Sequence, residues 1–154
     1  GQIVTPMDSF SLDATTEVID GVQYLVWAQK DYDIPGNSNL YIAPMANPWT
    51  LAADPVMLTK PEYDWECIDF LVNEGPAFLF HDDKIFITYS ASGTGVPYAV
   101  GLLTAEPCIV ALICHPPLTL AYDRNPIAGM RRATSLSRQA APLPCARFMT
   151  NRRL

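Results

Sequence analysis

The chain has 154 residues, 49% of them apolar, and a net charge of -6. That is enough for one globular domain with a real core, and the acidic balance argues against nucleic-acid binding, which needs a basic face to displace phosphate counterions. No run of about eighteen apolar residues occurs, so the sequence predicts no membrane-spanning helix and no membrane partner. Residue 1 is Gly, with no charged-then-apolar leader behind it, and the chain reads as an internal piece or a processed product.

The first apolar run, "SFSLDAT" (9–15), carries Asp13. After the turn pair Asp20-Gly21 comes "VQYLVWAQ" (22–29), β-branched and aromatic, and across a Pro-Gly-Asn turn comes "NLYIAPMA" (39–46); the two read as an antiparallel pair. Between them "DYDIPGNSN" gathers Asp31, Asp33, Asn37 and Asn39. It lacks the closing Glu of a calcium loop, so it reads as a turn and no metal is assigned. Next come "FLVNEGPAF" (70–78) with Glu74, the turn Asp82-Asp83 preceded by a solvent-facing His81, "KIFITYSA" (84–91), the loop "SGTGVP" and "YAVGLLTA" (98–105). Cys67 has no partner at motif spacing. No CxxC pair, Gly-rich phosphate loop or Ser-His-Asp pattern is present, and no cofactor is implied.

These runs repeat. Tyr24 corresponds to Phe86 at a spacing of 62, and each unit opens on a strand carrying an acid, Asp13 in the first and Glu74 in the second. All-β units of this period, with three or four short strands each, predict β-propeller blades whose first strands line a central channel, so both carboxylates are expected to face one axial cavity. Two carboxylates on a cavity suit glycoside hydrolysis, where one donates a proton to the leaving oxygen and another activates water or attacks. Glu74 is the better donor candidate, because Phe70, Leu71, Val72 and Pro76 would desolvate it and a neighbouring ionised Asp would hold its proton further. Against this stands the plainer reading that acids at strand ends are turn formers or solvated groups. Trp27, Trp65, Tyr32 and Phe70 are candidates for stacking on a sugar, with Trp27 and Gln29 of "WAQ" foremost, although aromatics in β units are more often core.

The segments "SFSLDATTEVIDGVQYLVWAQK", "SNLYIAPMANPWTL", "VMLTKPEYDWE", "VNEGPAFL", "ITYSAS" and "YAVGLLTA" together resemble family 43 glycoside hydrolases, the arabinofuranosidase and xylosidase group built on a five-bladed propeller. The resemblance runs in order through most of residues 8–106 and covers about two of the five blades. It implies an all-β fold, a partial five-bladed β-propeller over 1–107 followed by an irregular tail. It also implies that Glu74, in "NEGP", is the general acid, and that Asp13, in "LDAT", raises the pKa of that acid and orients it. The family's general base is an Asp on the first blade, ahead of Asp13, and Asp8 lies too close to Asp13 to come from a preceding blade. Lacking that base, the chain is expected to turn over poorly.

The implied activity is inverting cleavage of terminal α-L-arabinofuranosyl or β-xylosyl units from plant cell-wall polysaccharide or oligosaccharide, by a protein secreted to the extracellular space. The rival reading is a non-catalytic propeller fragment for carbohydrate binding or interaction. Uncovered strand edges are expected to favour self-association. From Gly1 to Pro107 there are three Lys and fifteen acids, whereas residues 108–154 hold seven Arg and one acid, Asp123. That stretch reads either as a basic tail for an anionic partner or, preferably, as an out-of-frame or unspliced codon run, since no apolar period survives beyond "CIVALIC". His115, in "CHPP", does not match the family's later axial His.

Overall fold

A computed structural model describes residues 1–82 and 84–105; the basic tail and His115 lie outside the described residues. The chain forms β1 (Ser11–Ile19), β2 (Val22–Gln29), β3 (Asn39–Asn47), β4 (Thr50–Leu51), β5 (Val56–Thr59), a single 3-10 turn (Asp64–Glu66), β6 (Asn73–His81), β7 (Lys84–Ala91) and β8 (Ala99–Ala105). The strands divide into two antiparallel meanders. In the first, β1, β2 and β3 pair in order and β4 and β5 both pair with β3; in the second the order is β6-β7-β8. The β-branched and aromatic runs at 22–29 and 84–91 become β2 and β7 at the limits the sequence suggests, because Asp20-Gly21 and the Asp82 turn stop them. Asp20 and Gly21 both have positive φ, 50° and 79°, the backbone of a tight hairpin turn that matches strand twist.

The two meanders are consecutive blades of a β-propeller, and their first hairpins share one register. Every pair from Ser11↔Gln29 to Ile19↔Val22 recurs 62 residues later, from Asn73↔Ala91 to His81↔Lys84. Even the bulge recurs, between Leu12 and Thr15 in β1 and between Glu74 and Ala77 in β6. In this register the two acids are one residue out of step: Asp13 stands where Gly75 stands, and Glu74 stands where Leu12 does.

The blades pack face to face. Tyr24, Val26, Ala28, Leu40 and Ile42 of the first meet Ile85, Ile87, Tyr89, Ala91 and Leu103 of the second in one cluster. The opposite face of the first blade is also buried: Leu25, Trp27, Tyr41, Ala43 and Met45 are covered by Ile3 and Met7 of the N-terminal segment and by Leu51. Burial on both faces explains why β2 reads as a nearly continuous apolar run without alternation.

Packing between β7 and β8 is close at one point. Gly101 pairs with Tyr89, and a Cβ at Gly101 would overlap the Tyr89 ring, which is only 1% exposed. Gly101→Ala is therefore expected to destabilise the protein by about 2–3 kcal/mol, read as a lower urea midpoint at unchanged slope.

Candidate active site

Asp13 and Glu74 come together where the two blades touch. The bulge in β1 puts Asp13 at φ 53°, and the bulge in β6 puts Gly75 at φ 58°, so both first strands kink at the same level. The Gly75 amide donates to Asp13 Oδ2 at 3.1 Å, bridging one blade to the next. Asp tolerates the left-handed region better than most residues, yet the conformation still costs about 1 kcal/mol or more. Held strain of this kind concentrates at functional positions.

Glu74 is half-buried and pairs across the strands with Ser90. The Tyr98 hydroxyl donates to Glu74 Oε1 at 3.1 Å. Tyr98 is itself hydrogen-bonded to the Ser90 side chain, which pulls its pKa down; burial, the bond to Glu74 and the charges of Glu74 and Asp13 outweigh this and raise it overall. The phenol thus stays protonated as a donor across neutral pH.

The residue before Glu74 is pinned from several sides. The Asn73 amide donates to the Ser38 carbonyl at 3.1 Å, and the Ser38 hydroxyl donates back to the Asn73 carbonyl at 3.0 Å. The Asn73 side-chain amide lies 3.4 Å from both Thr59 Oγ1 and Glu66 Oε1. Glu66 has no exposed surface and is met by the backbone amides of Glu62 and Tyr63, each at 2.9 Å, and by the Tyr89 hydroxyl at 2.6 Å. A buried carboxylate so supplied fixes the loop that delivers β6.

Other sequence candidates are distributed unevenly. Trp27 is 2% exposed and donates its indole N–H to Gln29 Oε1 at 2.7 Å. Gln29 is fully buried, its amide nitrogen shared among Thr5 Oγ1, the Met7 carbonyl and Ser9 Oγ. Both serve to attach the N-terminal segment to the first blade, on the face away from the blade contact. Trp65 packs half-buried against the shared core, 6.3 Å from Tyr89 between ring centroids. Phe70 is 50% exposed, in the loop leading to β6 beside Gly93. Of these four, Phe70 alone is exposed. The expected desolvating wall is only partly in place: Phe70 and Leu71 are exposed, Val72 and Pro76 are buried, and the Tyr98 hydroxyl reaches the Glu74 carboxylate. The acidic turn follows its turn reading, with the Asp33 amide donating to Asp31 Oδ1 at 2.9 Å. His81 is solvent-facing as expected, 3.2 Å from Asp82.

Tyr98, Ser90 and Glu66 were not legible as site residues. Tyr98 sits at the head of a run that reads as plain strand. Glu66 closes a helical turn onto Tyr63, where the usual Ser or Thr start of such a motif is missing.

Residues 1–112 match the family described as Glycosyl hydrolases family 43. The chain is 50% identical over 106 residues to the extracellular exo-alpha-(1->5)-L-arabinofuranosidase of Streptomyces avermitilis, covering 69% of this chain and 22% of that protein. It is 53% identical over 107 residues to alpha-L-arabinofuranosidase 43 of Humicola insolens, again covering 69% of this chain and 22% of the relative. Among solved structures, the alpha-L-arabinofuranosidase of Lactobacillus brevis superposes with a TM-score of 0.68 at 61% identity, over 70% of this chain and 33% of that one. The chain thus spans between about a fifth and a third of the length of these relatives.

The Asp13–Gly75 contact sets one expectation. Gly75→Ala places a Cβ at positive φ, in the space between Ser90 Oγ and Asp13 Oδ2. It is expected to lower stability by about 1–2 kcal/mol, measured by thermal or urea unfolding.

Proposed function

Because the chain belongs to glycosyl hydrolase family 43, we propose that it carries the acid half of an inverting α-L-arabinofuranosidase site, with Glu74 as proton donor and Asp13 as the carboxylate that modulates and orients it. The observation that carries this reading is that Asp13 accepts from the amide of Gly75, the residue that follows Glu74, across the blade junction. The curated relatives that match at about half identity are named arabinofuranosidases, which favours arabinofuranosyl over xylosyl substrates.

In this reading Glu74 gives its proton to the glycosidic oxygen as the bond to the anomeric carbon breaks. Water attacks that carbon from the opposite face and loses its proton to a base carboxylate across the sugar, for which no described residue is assigned. The two carboxyl groups of such a pair stand about 6.5–9.5 Å apart to admit the water. Phe70, exposed in the loop that leads to β6, is the sequence candidate left free to lie against an apolar sugar face. Both Streptomyces relatives are named extracellular, and we read the protein as secreted, acting on plant cell-wall arabinan or the oligosaccharides released from it.

The test compares substrates that do and do not need an acid. In the full-length protein, Glu74→Gln should lower kcat on an α-(1→5)-linked arabino-oligosaccharide by roughly 10²–10⁴-fold and spare an aryl arabinofuranoside, whose phenolate leaves without a proton. Equal rates of wild type and variant on the oligosaccharide would remove Glu74 from the role. Asp13→Asn should reduce kcat on the oligosaccharide by roughly ten-fold or more with little change in KM, checked in the same assay; a loss confined to KM would make Asp13 a binding group instead.

A further inference from the structure

We infer that Tyr98 is a positioning residue for Glu74, fixing which carboxyl oxygen presents the proton to the leaving group; this rests on the reading of Glu74 as the acid. A glutamate has three side-chain torsions, and one only half-buried samples several rotamers unless something holds it. Tyr98 supplies the hold: its hydroxyl reaches Glu74 Oε1 at 3.1 Å, on a ring with only two torsions. The tyrosine is constrained in turn. Its amide donates to the Gly95 carbonyl at 3.2 Å, it immediately precedes β8, and its hydroxyl is tied to Ser90, the cross-strand partner of Glu74. Glu74, Ser90 and Tyr98 therefore form a closed set drawn from three adjacent strands or their ends.

The directionality of the hydrogen bond gives the inference its content. A phenol O–H donating to a protonated carboxyl prefers the carbonyl oxygen, the stronger acceptor, over the oxygen that carries the proton. With Oε1 engaged, the acidic proton of Glu74 resides on Oε2. The same bond persists when Glu74 is ionised, so the carboxyl need not rotate between giving its proton and recovering it. On the other side of the bulge, Asp13 is engaged by the Gly75 amide rather than by Glu74 itself. The two acids are thus held by separate donors, Tyr98 for Glu74 and Gly75 for Asp13. Tyr98 acts through Glu74 and takes no proton of its own in the reaction.

Tyr98→Phe deletes the donor and keeps the ring. Tyr98 is 43% exposed, in a loop, so the substitution leaves the core untouched. In the full-length protein, kcat on an α-(1→5)-linked arabino-oligosaccharide should fall roughly ten-fold or more while KM stays within about two-fold. On a nitrophenyl arabinofuranoside, kcat should stay within about two-fold. A structural lesion would lower both substrates alike, and that result, or no loss on either, overturns the proposal. Glu74→Gln run alongside separates the two claims. If it shows the split between substrates and Tyr98→Phe does not, the positioning role fails and the acid assignment stands. If Glu74→Gln shows no split, the acid assignment fails and the inference falls with it. Should Tyr98→Phe not fold, Ser90→Ala, which removes the other member of the set, is expected to give the same split at smaller amplitude, and its absence overturns the proposal.

Discussion

A carboxylate with no exposed surface holds this part of the molecule together. Glu66 is buried between the blades and accepts from two backbone amides, a tyrosine hydroxyl and a nearby asparagine amide. No water reaches a carboxyl in that position, so each donor lost leaves a buried acceptor unsatisfied, at a cost of about 1–3 kcal/mol. The four donors come from the loop before the 3-10 turn, from β7 and from the start of β6. Their common acceptor therefore fixes where β6 begins. Asn73, one of the four, is followed directly by Glu74. The path from buried charge to proposed acid is one residue long, and Ser38 locks it again by bonding both the amide and the carbonyl of Asn73.

The repeat places the two acids near one another, and the bulge separates their roles. With identical hairpin registers, matched positions in successive blades meet neighbours of the same kind, so two acids at one repeat position would have equivalent settings. An offset of one residue breaks that equivalence. Asp13 takes the strained left-handed slot and receives a backbone amide; Glu74 takes the position before the slot and receives a phenol. Glycine fills the same slot in the second blade at no steric cost. The strain accepted at Asp13 is thus specific to the blade that carries a carboxylate there, in keeping with the role proposed for it.

Most of the strand order was legible because each strand is bounded by residues that stop it: Asp20-Gly21, the Pro-Gly-Asn turn, Asp82 and the loop before Tyr98. What periodicity missed has identifiable causes. Strands β2 and β3 are buried on both faces, so alternation cannot say which side a residue faces, and Trp27 and Gln29 looked available for ligand while they were anchoring the N-terminal segment. The short strands β4 and β5 pair only along β3 and carry too few residues to show a period. Glu66 and Tyr98 act across distances of 23 and 24 residues to Tyr89 and Glu74, and no local pattern encodes such pairs. Glu74 and Asp13 were found by motif, and their one-residue offset follows from counting to Tyr24 and Phe86, 11 residues against 12; the bulges and the left-handed backbone at that point came only from the structure.

The surroundings of Glu74 also change the physical account of how this carboxyl is controlled. Apolar neighbours act on a titrating group through solvation, a diffuse effect that says nothing about direction. Phe70 and Leu71, which would have supplied part of it, are exposed, while Val72 and Pro76 are buried, and a phenol tied in turn to a serine hydroxyl reaches the carboxylate. Hydrogen-bond donors act on particular oxygens, and so they select orientation as well as charge state. In the role proposed for Glu74, an acid that meets a glycosidic oxygen along one line gains more from a fixed oxygen than from a dry pocket. The dry surface is placed elsewhere, in the cluster between the blades, where it holds the two bulges at the same level so that the polar contacts between them have a fixed length.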